Sequence, residues 1–202
     1  FPTTDVCRAV STATRTVCSG EIIQSHRRGN LQLSQKEYLD TLRMKTGELF
    51  AIACEVGGSL AGGDPRETRA LRAYGMALGT AYQVYDDCLD LFGSEAEAGK
   101  SLGTDIASGK ATLPVILLCE QADPDIAAQL GRMIEKWDAG QLNILRGWLS
   151  EFNTLEQSQS RLEALLAIAR DALGELRESD HRDELEELTL FLAQQSAGLG
   201  VC

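Results

Sequence analysis

The sequence has little lysine and no surplus of positive charge, and this shortage excludes several kinds of partner. Lysine occurs only at positions 36, 45, 100, 110 and 136, and the formal net charge at pH 7 is −11. We therefore do not expect a broad cationic face for nucleic acid or for anionic lipid. An anionic ligand of this protein must be bound by a few well-placed cations or by metal ions.

Zinc-type ligands are scarce and scattered as well. The six cysteines form no Cys-x-x-Cys pair, and the two histidines, His26 and His181, stand far apart. A structural zinc site needs clustered ligands, so the sequence argues against one. An even number of cysteines permits disulfides, but several lie in apolar helical segments, where a reduced thiol is the more common state. We therefore expect reduced cysteines and a cytoplasmic protein.

Long apolar runs and a signal peptide are also missing. No run is long enough to span a membrane, and nothing at the beginning resembles a secretory signal. The chain begins with Phe1 and Pro2 instead of Met, so we expect it to begin inside a longer protein. Its 44% hydrophobic and 24% charged residues are ordinary for a globular protein. Residues 1–202 suit one domain with a substantial core.

Apolar residues recur at helical spacing along almost the whole chain, and no run alternates as a strand would. Ser34 followed by Glu37 predicts a capping box at a helix start. The apolar stripe of that helix is predicted to contain Tyr38, Leu42, Leu49, Ile52, Ala53 and Val56. Other helices are predicted over residues 11–26, 66–92, 112–119, 124–136, 139–151, 155–178 and 183–195, with a loop over residues 93–108. We therefore predict an all-α helical bundle.

Three aspartates, Asp86, Asp87 and Asp90, lie close together near the end of the helix predicted over residues 66–92. At about 100° per residue, they share one arc with Gln83, opposite an apolar side. An acidic cluster on a helix is commonly a solvated surface. Here, however, the like charges, the low helix propensity of aspartate and the negative end of the helix dipole all disfavour the arrangement. An external cation would compensate, and oxygen-only ligands favour Mg²⁺ or Ca²⁺.

Two familiar loop motifs do not fit this region. An EF-hand beginning at Asp86 would place Leu91 where its turn needs glycine, and residues 93–100 lack the spacing of a phosphate-binding P-loop. Lys100 and Lys110 follow in a glycine-rich segment. A Mg²⁺ ion between the carboxylates and a diphosphate, with these lysines on the remaining phosphate oxygens, would balance the charges. The alternative is that both are ordinary surface lysines.

The stretches "YQVYDDCLDLFG" and "GKSLGTDIASGKATLP" resemble the second aspartate-rich region of trans-type isoprenyl diphosphate synthases, the polyprenyl synthetases. The DDxxD motif falls on residues 86–90, with a glutamine before it and the GKxxGxD and GKxTLP segments in register. Upstream, "SGEIIQ" resembles the GExxQ helix of that family, and Lys45-Thr46 resembles its Lys-Thr pair. Near the end, "LRESDHRDELEEL" loosely resembles L-P-x-S-x-x-R-x-x-L, with Arg177 in place of proline.

The resemblance implies an all-α fold of the isoprenoid synthase type and a prenyl transfer reaction. Enzymes of this family join an allylic diphosphate to isopentenyl diphosphate, and Mg²⁺ assists departure of the diphosphate group. The partners implied are therefore these two substrates and a second copy of the chain in a homodimer. Nucleic acid and an integral membrane segment are not expected.

The resemblance also assigns roles to individual positions. The Mg²⁺ ligands would be Asp86, Asp87 and Asp90. The residues that pair with the diphosphate or with the metal-bound carboxylates would be Lys45, Lys100 and Lys110. Thr46 and Gln83 would place oxygens near the developing carbocation, and with Lys45 they form the expected catalytic set. Ordinary helix surface is the alternative for Lys45 and Thr46.

The first aspartate-rich motif of the family is absent from this sequence, as are the early basic residues that bind isopentenyl diphosphate. We therefore expect the chain to correspond to the C-terminal portion of such a synthase, lacking the N-terminal helices, and to turn over little by itself. Two other functions stay open: a non-catalytic prenyltransferase-like subunit or scaffold, and a terpene cyclase. The lysine-containing loop favours an elongating synthase over a cyclase.

Overall fold

The computed structural model describes residues 4–99 and 101–200, with the side chains of residues 97 and 98 excepted. Over these residues the regular structure is helical and contains no strand, which confirms the predicted class. The helices are α1 (Asp5–His26), α2 (Gln35–Leu42), α3 (Glu48–Leu60), α4 (Pro65–Phe92), α5 (Glu95–Ala98), α6 (Thr104–Ala107), α7 (Leu113–Gln121), α8 (Pro124–Glu135), α9 (Leu142–Glu151), α10 (Thr154–Leu173) and α11 (Asp180–Ala197). Helices α5 and α6 lie in the segment that was predicted as a loop.

Helix α4 is the central element of the bundle and carries the aspartate-rich motif. Its first turn is capped by Asp64, whose side chain accepts hydrogen bonds from the backbone N–H groups of the first turn, and Pro65 occupies the first helical position. The core face of α4 includes Val84 and Leu91, both fully buried. They belong to the same apolar core as the buried leucines of α7, α9 and α10. Each fully buried leucine contributes about 1.5–3 kcal/mol, so this core fixes the position of α4.

The capping box predicted at Ser34 is present. The backbone N–H of Glu37 donates to Ser34 Oγ, and the backbone N–H of Ser34 donates to Glu37 Oε2. The apolar stripe beyond it, however, does not continue as predicted, because Leu49 is 50% exposed and Ala53 is also exposed. The α-helical periodicity does not continue from α2 into α3, because the segment between these two helices is not α-helical.

A π-helical turn, Arg43–Gly47, joins α2 to α3. Its wider hydrogen-bond ring accommodates one more residue than an α-helical turn does. The side that faces the core therefore continues at Gly47, Ala51 and Cys54 instead of at the predicted apolar positions. The turn also contains Lys45 and Thr46, and π-helical turns are frequent at functional sites.

Helices α3 and α4 cross in direct backbone contact at Gly75. A Cβ at this position would lie 2.5 Å from the carbonyl oxygen of Phe50 and 2.9 Å from Ala51 Cα. Only glycine permits an approach this close. The crossing keeps the π-helical turn within hydrogen-bonding distance of α4.

Within the described part of the chain, no helix combines the length and apolar character needed to cross a bilayer. The cysteines there are all unpaired thiols: Cys7, Cys18, Cys54, Cys88 and Cys119. Cys88 is buried in the core, and burial raises its pKa to about 12. The thiol of Cys88 is therefore a packing group and not a reactive one.

We predict that Gly75→Ala destabilises the protein by about 1–3 kcal/mol, because the added methyl group meets backbone atoms that cannot yield without separating the helices. Urea unfolding measures this change. Gly57→Ala is the matched control, since a Cβ at Gly57 in α3 meets nothing within 4 Å. That control is expected to be neutral or stabilising by about 0.5–1 kcal/mol. Equal effects of the two substitutions would show that the close crossing does not limit stability.

Candidate active site

The three aspartates share one arc of α4, as predicted, but they do not share one environment. Asp87 and Asp90 have no exposed surface, whereas Asp86 and Gln83 are partly exposed. The chain after α4 folds back over this end of the helix, and the backbone N–H of Gly103 donates to the carbonyl of Asp90 at 2.9 Å. The carboxylates therefore lie between α4 and its following loop. The opposite side of the helix is buried as expected.

Asp90 stabilises this returning loop. Its Oδ1 accepts from the backbone N–H of Thr104 at 3.2 Å and from the Thr104 hydroxyl at 2.9 Å, and its Oδ2 accepts from the backbone N–H of Asp105 at 3.0 Å. Hydrogen bonds to a charged acceptor are stronger than neutral ones. The expected role of Asp90 as a metal ligand stays a prediction, and in this structure both of its oxygens accept protein donors.

Asp87 is buried among three donors. Its Oδ1 accepts from Lys110 Nζ at 2.7 Å and from Gln83 Nε2 at 3.0 Å, and its Oδ2 accepts from the Tyr38 hydroxyl at 2.7 Å. A buried carboxylate is tolerated when it is paired and its lone pairs accept hydrogen bonds. Asp87 meets both conditions through protein groups, and its predicted metal-binding role is not tested by this geometry.

Lys110 lies between two carboxylates. Its side chain is 12% exposed, and its Nζ donates to Asp87 and, at 3.1 Å, to Asp105 Oδ2. Burial opposes its charge, but the attraction of Asp87 and Asp105 is greater and raises the pKa of Lys110 above its usual value. Burial and the charge of Asp87 raise the pKa of Asp105 to about 6, against the opposing effect of Lys110. Pairing with carboxylates is one of the two roles expected for Lys110, while Lys100 lies outside the described residues.

Thr46 and Gln83 connect the π-helical turn to the aspartates. The Thr46 hydroxyl donates to Gln83 Oε1 at 2.9 Å. Gln83 Nε2 donates to Asp86 Oδ2 at 3.1 Å and to Asp87 Oδ1 at 3.0 Å. Because each amide atom has partners of the appropriate type, the orientation of the Gln83 side chain follows from the hydrogen-bond network. The structure thus brings Thr46, Gln83 and Asp86 together.

Lys45 is held by α1. Its Nζ lies 2.7 Å from Glu21 Oε2 and donates to Gln24 Oε1 at 2.6 Å, and its side chain is 32% exposed. The hydrogen bond from Lys45 lowers the pKa of Glu21. Gly20 permits the contact, since a Cβ there would lie 2.9 Å from the backbone nitrogen of Lys45. The SGEIIQ stretch therefore positions Lys45, a role that sequence reasoning did not identify.

Sequence reasoning also missed Tyr38, which it placed in an apolar stripe. The signal that could have identified it is general: a buried tyrosine hydroxyl usually has a hydrogen-bond partner. Thr104 and Asp105 were missed because they reach Asp90 from the loop after α4. A helical projection of α4 does not predict where that loop lies. The missed residues are thus those that hold the motif residues in place.

The oxygen ligands at this end of α4 suit a hard cation that is also bound by phosphate oxygens. They suit a metal ion bound entirely by protein side chains less well. No group of three or more His, Cys, Asp or Glu side chains among the described residues forms a metal-binding cluster. Asp86 offers a partly exposed carboxylate beside an amide and a lysine-containing network. Mg²⁺ is commonly bound by one or two carboxylates together with phosphate oxygens, so the residues present fit such an ion.

We predict that Asp90→Asn destabilises the protein by about 2–3 kcal/mol, because the amide loses a charged acceptor and presents N–H groups to backbone N–H groups. Urea unfolding and hydrogen exchange of the Thr104 and Asp105 amides measure this loss. Asp86→Asn is the matched variant, and we expect it to cost less than about 1 kcal/mol because the carboxylate is partly exposed. Similar costs for both would contradict a loop-holding role for Asp90.

Comparison with known proteins places this network in a family. Residues 2–145 match the sequence model of the family described as Polyprenyl synthetase. A short chain isoprenyl diphosphate synthase of Methanothermobacter thermautotrophicus is 31% identical over 183 residues, which are 89% of this chain and 55% of that protein. The solved structure of a decaprenyl diphosphate synthase from Rhodobacter capsulatus is 33% identical with a TM-score of 0.89, over 96% of this chain and 61% of the other.

A second solved structure is a polyprenyl synthase from Caulobacter crescentus, complexed with calcium and isoprenyl diphosphate. It is 34% identical with a TM-score of 0.90, over 95% of this chain and 59% of the other. The chain thus spans little more than half the length of the relatives it matches. These similarities confirm the predicted helical bundle of the isoprenoid synthase type. The matched range contains Lys45, Gln83, Asp86 and Lys110, and the chain belongs to the polyprenyl synthetase family.

Proposed function

We propose that this chain carries the diphosphate-binding region of a prenyltransferase that joins an allylic diphosphate to isopentenyl diphosphate. The observation that supports this most strongly is the convergence of Thr46, Gln83, Asp86 and Lys110 at one end of α4. Family membership supports the reaction class. The Caulobacter synthase, complexed with calcium and isoprenyl diphosphate, supports the pairing of a divalent cation with a diphosphate in this fold.

Mg²⁺ would be held through Asp86, the partly exposed carboxylate of the motif. When bound, Mg²⁺ supplies Lewis-acid stabilisation of the charge that develops on the departing diphosphate. Asp87 and Asp90, the other expected ligands, accept hydrogen bonds from protein donors in this structure. We propose that both act chiefly by keeping Lys110 and the returning loop in place.

Lys45 would provide a positive charge for the diphosphate, since it is partly exposed and, among the described residues, is paired with the one carboxylate of Glu21. Lys100 is proposed as a second cation of the same site. The Thr46 hydroxyl donates its proton to Gln83, so the lone pairs of its oxygen would face a developing carbocation. Preorganised dipoles of this kind stabilise a transition state without reorganisation.

We predict that Asp86→Asn in the full-length protein lowers kcat for prenyl transfer by roughly 100-fold or more, the effect of removing one transition-state contact. Steady-state kinetics measure it, and calorimetry with Mg²⁺ and inorganic pyrophosphate measures binding. Asp171→Asn, at an exposed position of α10, is the control and should leave both unchanged.

The 202-residue chain alone is expected to turn over slowly, because its sequence contains one aspartate-rich motif. Turnover by that chain at the rate of a complete synthase would refute this expectation. Retained activity in Asp86→Asn would refute the assignment of the site. Products formed from the allylic diphosphate without isopentenyl diphosphate would indicate a cyclase instead.

The same proposal includes a homodimer. Helix α1 exposes large apolar side chains, with Val10 at 47% and Ile22 at 60% exposure, and such side chains are typical of surfaces that associate. Sedimentation of the full-length protein should give twice the mass of the chain, and Ile22→Glu should shift it toward the monomer. An unchanged dimer in Ile22→Glu would exclude Ile22 from the interface.

A further inference from the structure

We infer that Tyr38 is a positioning residue of this site, whose hydroxyl fixes the Asp87 carboxylate and, through it, Gln83 and Lys110. The inference rests on the proposed function for its catalytic meaning. Its structural basis is a chain of contacts that starts in α2, far along the sequence from the motif.

The contact is short, buried and charged. The Tyr38 side chain is 2% exposed, and its hydroxyl donates to Asp87 Oδ2 at 2.7 Å. Among the described residues, Tyr38 is the donor to that oxygen, while Lys110 and Gln83 donate to Oδ1. Tyr38 thus determines how the carboxylate is turned.

The intrinsic torsional preference of an aspartate side chain does not fix how its carboxylate is rotated. The terminal torsion of aspartate is broad, with no sharp staggered minima. The donors around Asp87 therefore choose its orientation. Without the Tyr38 hydroxyl, one oxygen of a fully buried carboxylate would have no donor from the described residues, which is costly. The carboxylate would turn toward another donor, and Gln83 and Lys110 would move with it.

The π-helical turn explains why Tyr38 reaches this site. Tyr38 and Thr46 contact Asp87 and Gln83, which are four residues apart on α4. Eight residues of uninterrupted α-helix would leave Tyr38 and Thr46 about 80° apart around the axis. A π-helical turn contains one extra residue, so the eight residues correspond to about seven α-helical steps. The angle between Tyr38 and Thr46 around the axis then falls to about 20°. Both residues then face α4, so one helix fixes both ends of the Gln83–Asp87 turn.

The consequence for chemistry follows from Gln83. Its Nε2 bridges Asp86 and Asp87, so a displaced Asp87 changes the position of the amide beside the proposed metal ligand. The position of Lys110, which is paired with Asp87, would change at the same time. Tyr38 itself contacts neither the substrate nor the ion in this scheme, and its effect is transmitted through Asp87.

The experiment compares Tyr38→Phe with Tyr74→Phe in the full-length protein. Tyr74 is a matched control because it is 1% exposed and its hydroxyl also donates at 2.7 Å, to the carbonyl of Leu185. Each variant loses one buried hydroxyl and one hydrogen bond. We expect Tyr38→Phe to lower kcat, and the affinity for inorganic pyrophosphate with Mg²⁺, by roughly tenfold or more, the value for a bond to a charged group. Tyr74→Phe should change both less than about twofold.

Hydrogen exchange gives a readout that does not need catalysis. Tyr38→Phe should accelerate exchange over residues 104–110, and Tyr74→Phe should not. A double-mutant cycle adds a second test: if Tyr38 acts through Asp87, Tyr38→Phe has little further effect in an Asp87→Asn background. Should Asp87→Asn fail to fold, the comparison of the two tyrosine variants decides alone.

The two proposals fail in different ways. If the unmodified protein binds no pyrophosphate with Mg²⁺ and transfers no prenyl group, the proposed function is wrong, and exchange over residues 104–110 decides the role of Tyr38. If binding and kcat are normal in the unmodified protein but change equally in both tyrosine variants, Tyr38 is a structural residue and the inference is overturned.

Discussion

The buried ion pair between Asp87 and Lys110 is the interaction on which the site depends. Two charges removed from water are stable only with good geometry and with their remaining hydrogen-bonding capacity satisfied. Tyr38 and Gln83 satisfy the carboxylate, and Asp105 provides a second acceptor for the ammonium group. Loss of one partner of such a pair typically costs about 3–5 kcal/mol. The pair therefore holds α2, α4 and the segment before α7 in one arrangement.

This pair changes how the crowded aspartates are explained. The sequence suggests one external cation for all three, whereas the structure gives each a separate environment. Asp90 accepts backbone N–H groups of the returning loop, Asp87 accepts the lysine, and Asp86 stays partly exposed. Protein donors thus surround the carboxylates of Asp87 and Asp90, and Asp86 is the aspartate that we propose as the metal ligand.

Local sequence patterns such as helix caps predicted the helices well. The site was predicted less completely, because it depends on contacts between residues that are far apart in the sequence. The caps at Ser34 and Asp64 mark helix starts because a cap is a local interaction of a few residues. The helical projection placed the aspartates on one arc correctly, but it contains no information about the loop that covers them. The π-helical turn shifted the apolar stripe, because an α-helical period assumes uninterrupted i,i+4 bonding. Tyr38 was assigned to an apolar stripe, which describes its ring but does not predict the hydrogen bond of its buried hydroxyl to Asp87.

Charge balance gives a physical reason for a divalent cation in the proposed reaction. Near the end of α4, the carboxylates of Asp87 and Asp105 share the ammonium group of Lys110, and Lys45 is already paired with Glu21. A diphosphate would bring further negative charge to a region where Lys45 and Lys110 are already paired with carboxylates. In a partly buried site this repulsion is poorly screened. A bound cation would reverse the local potential, and Lys45, the more exposed of the two lysines, could then exchange its contact with Glu21 for one with phosphate.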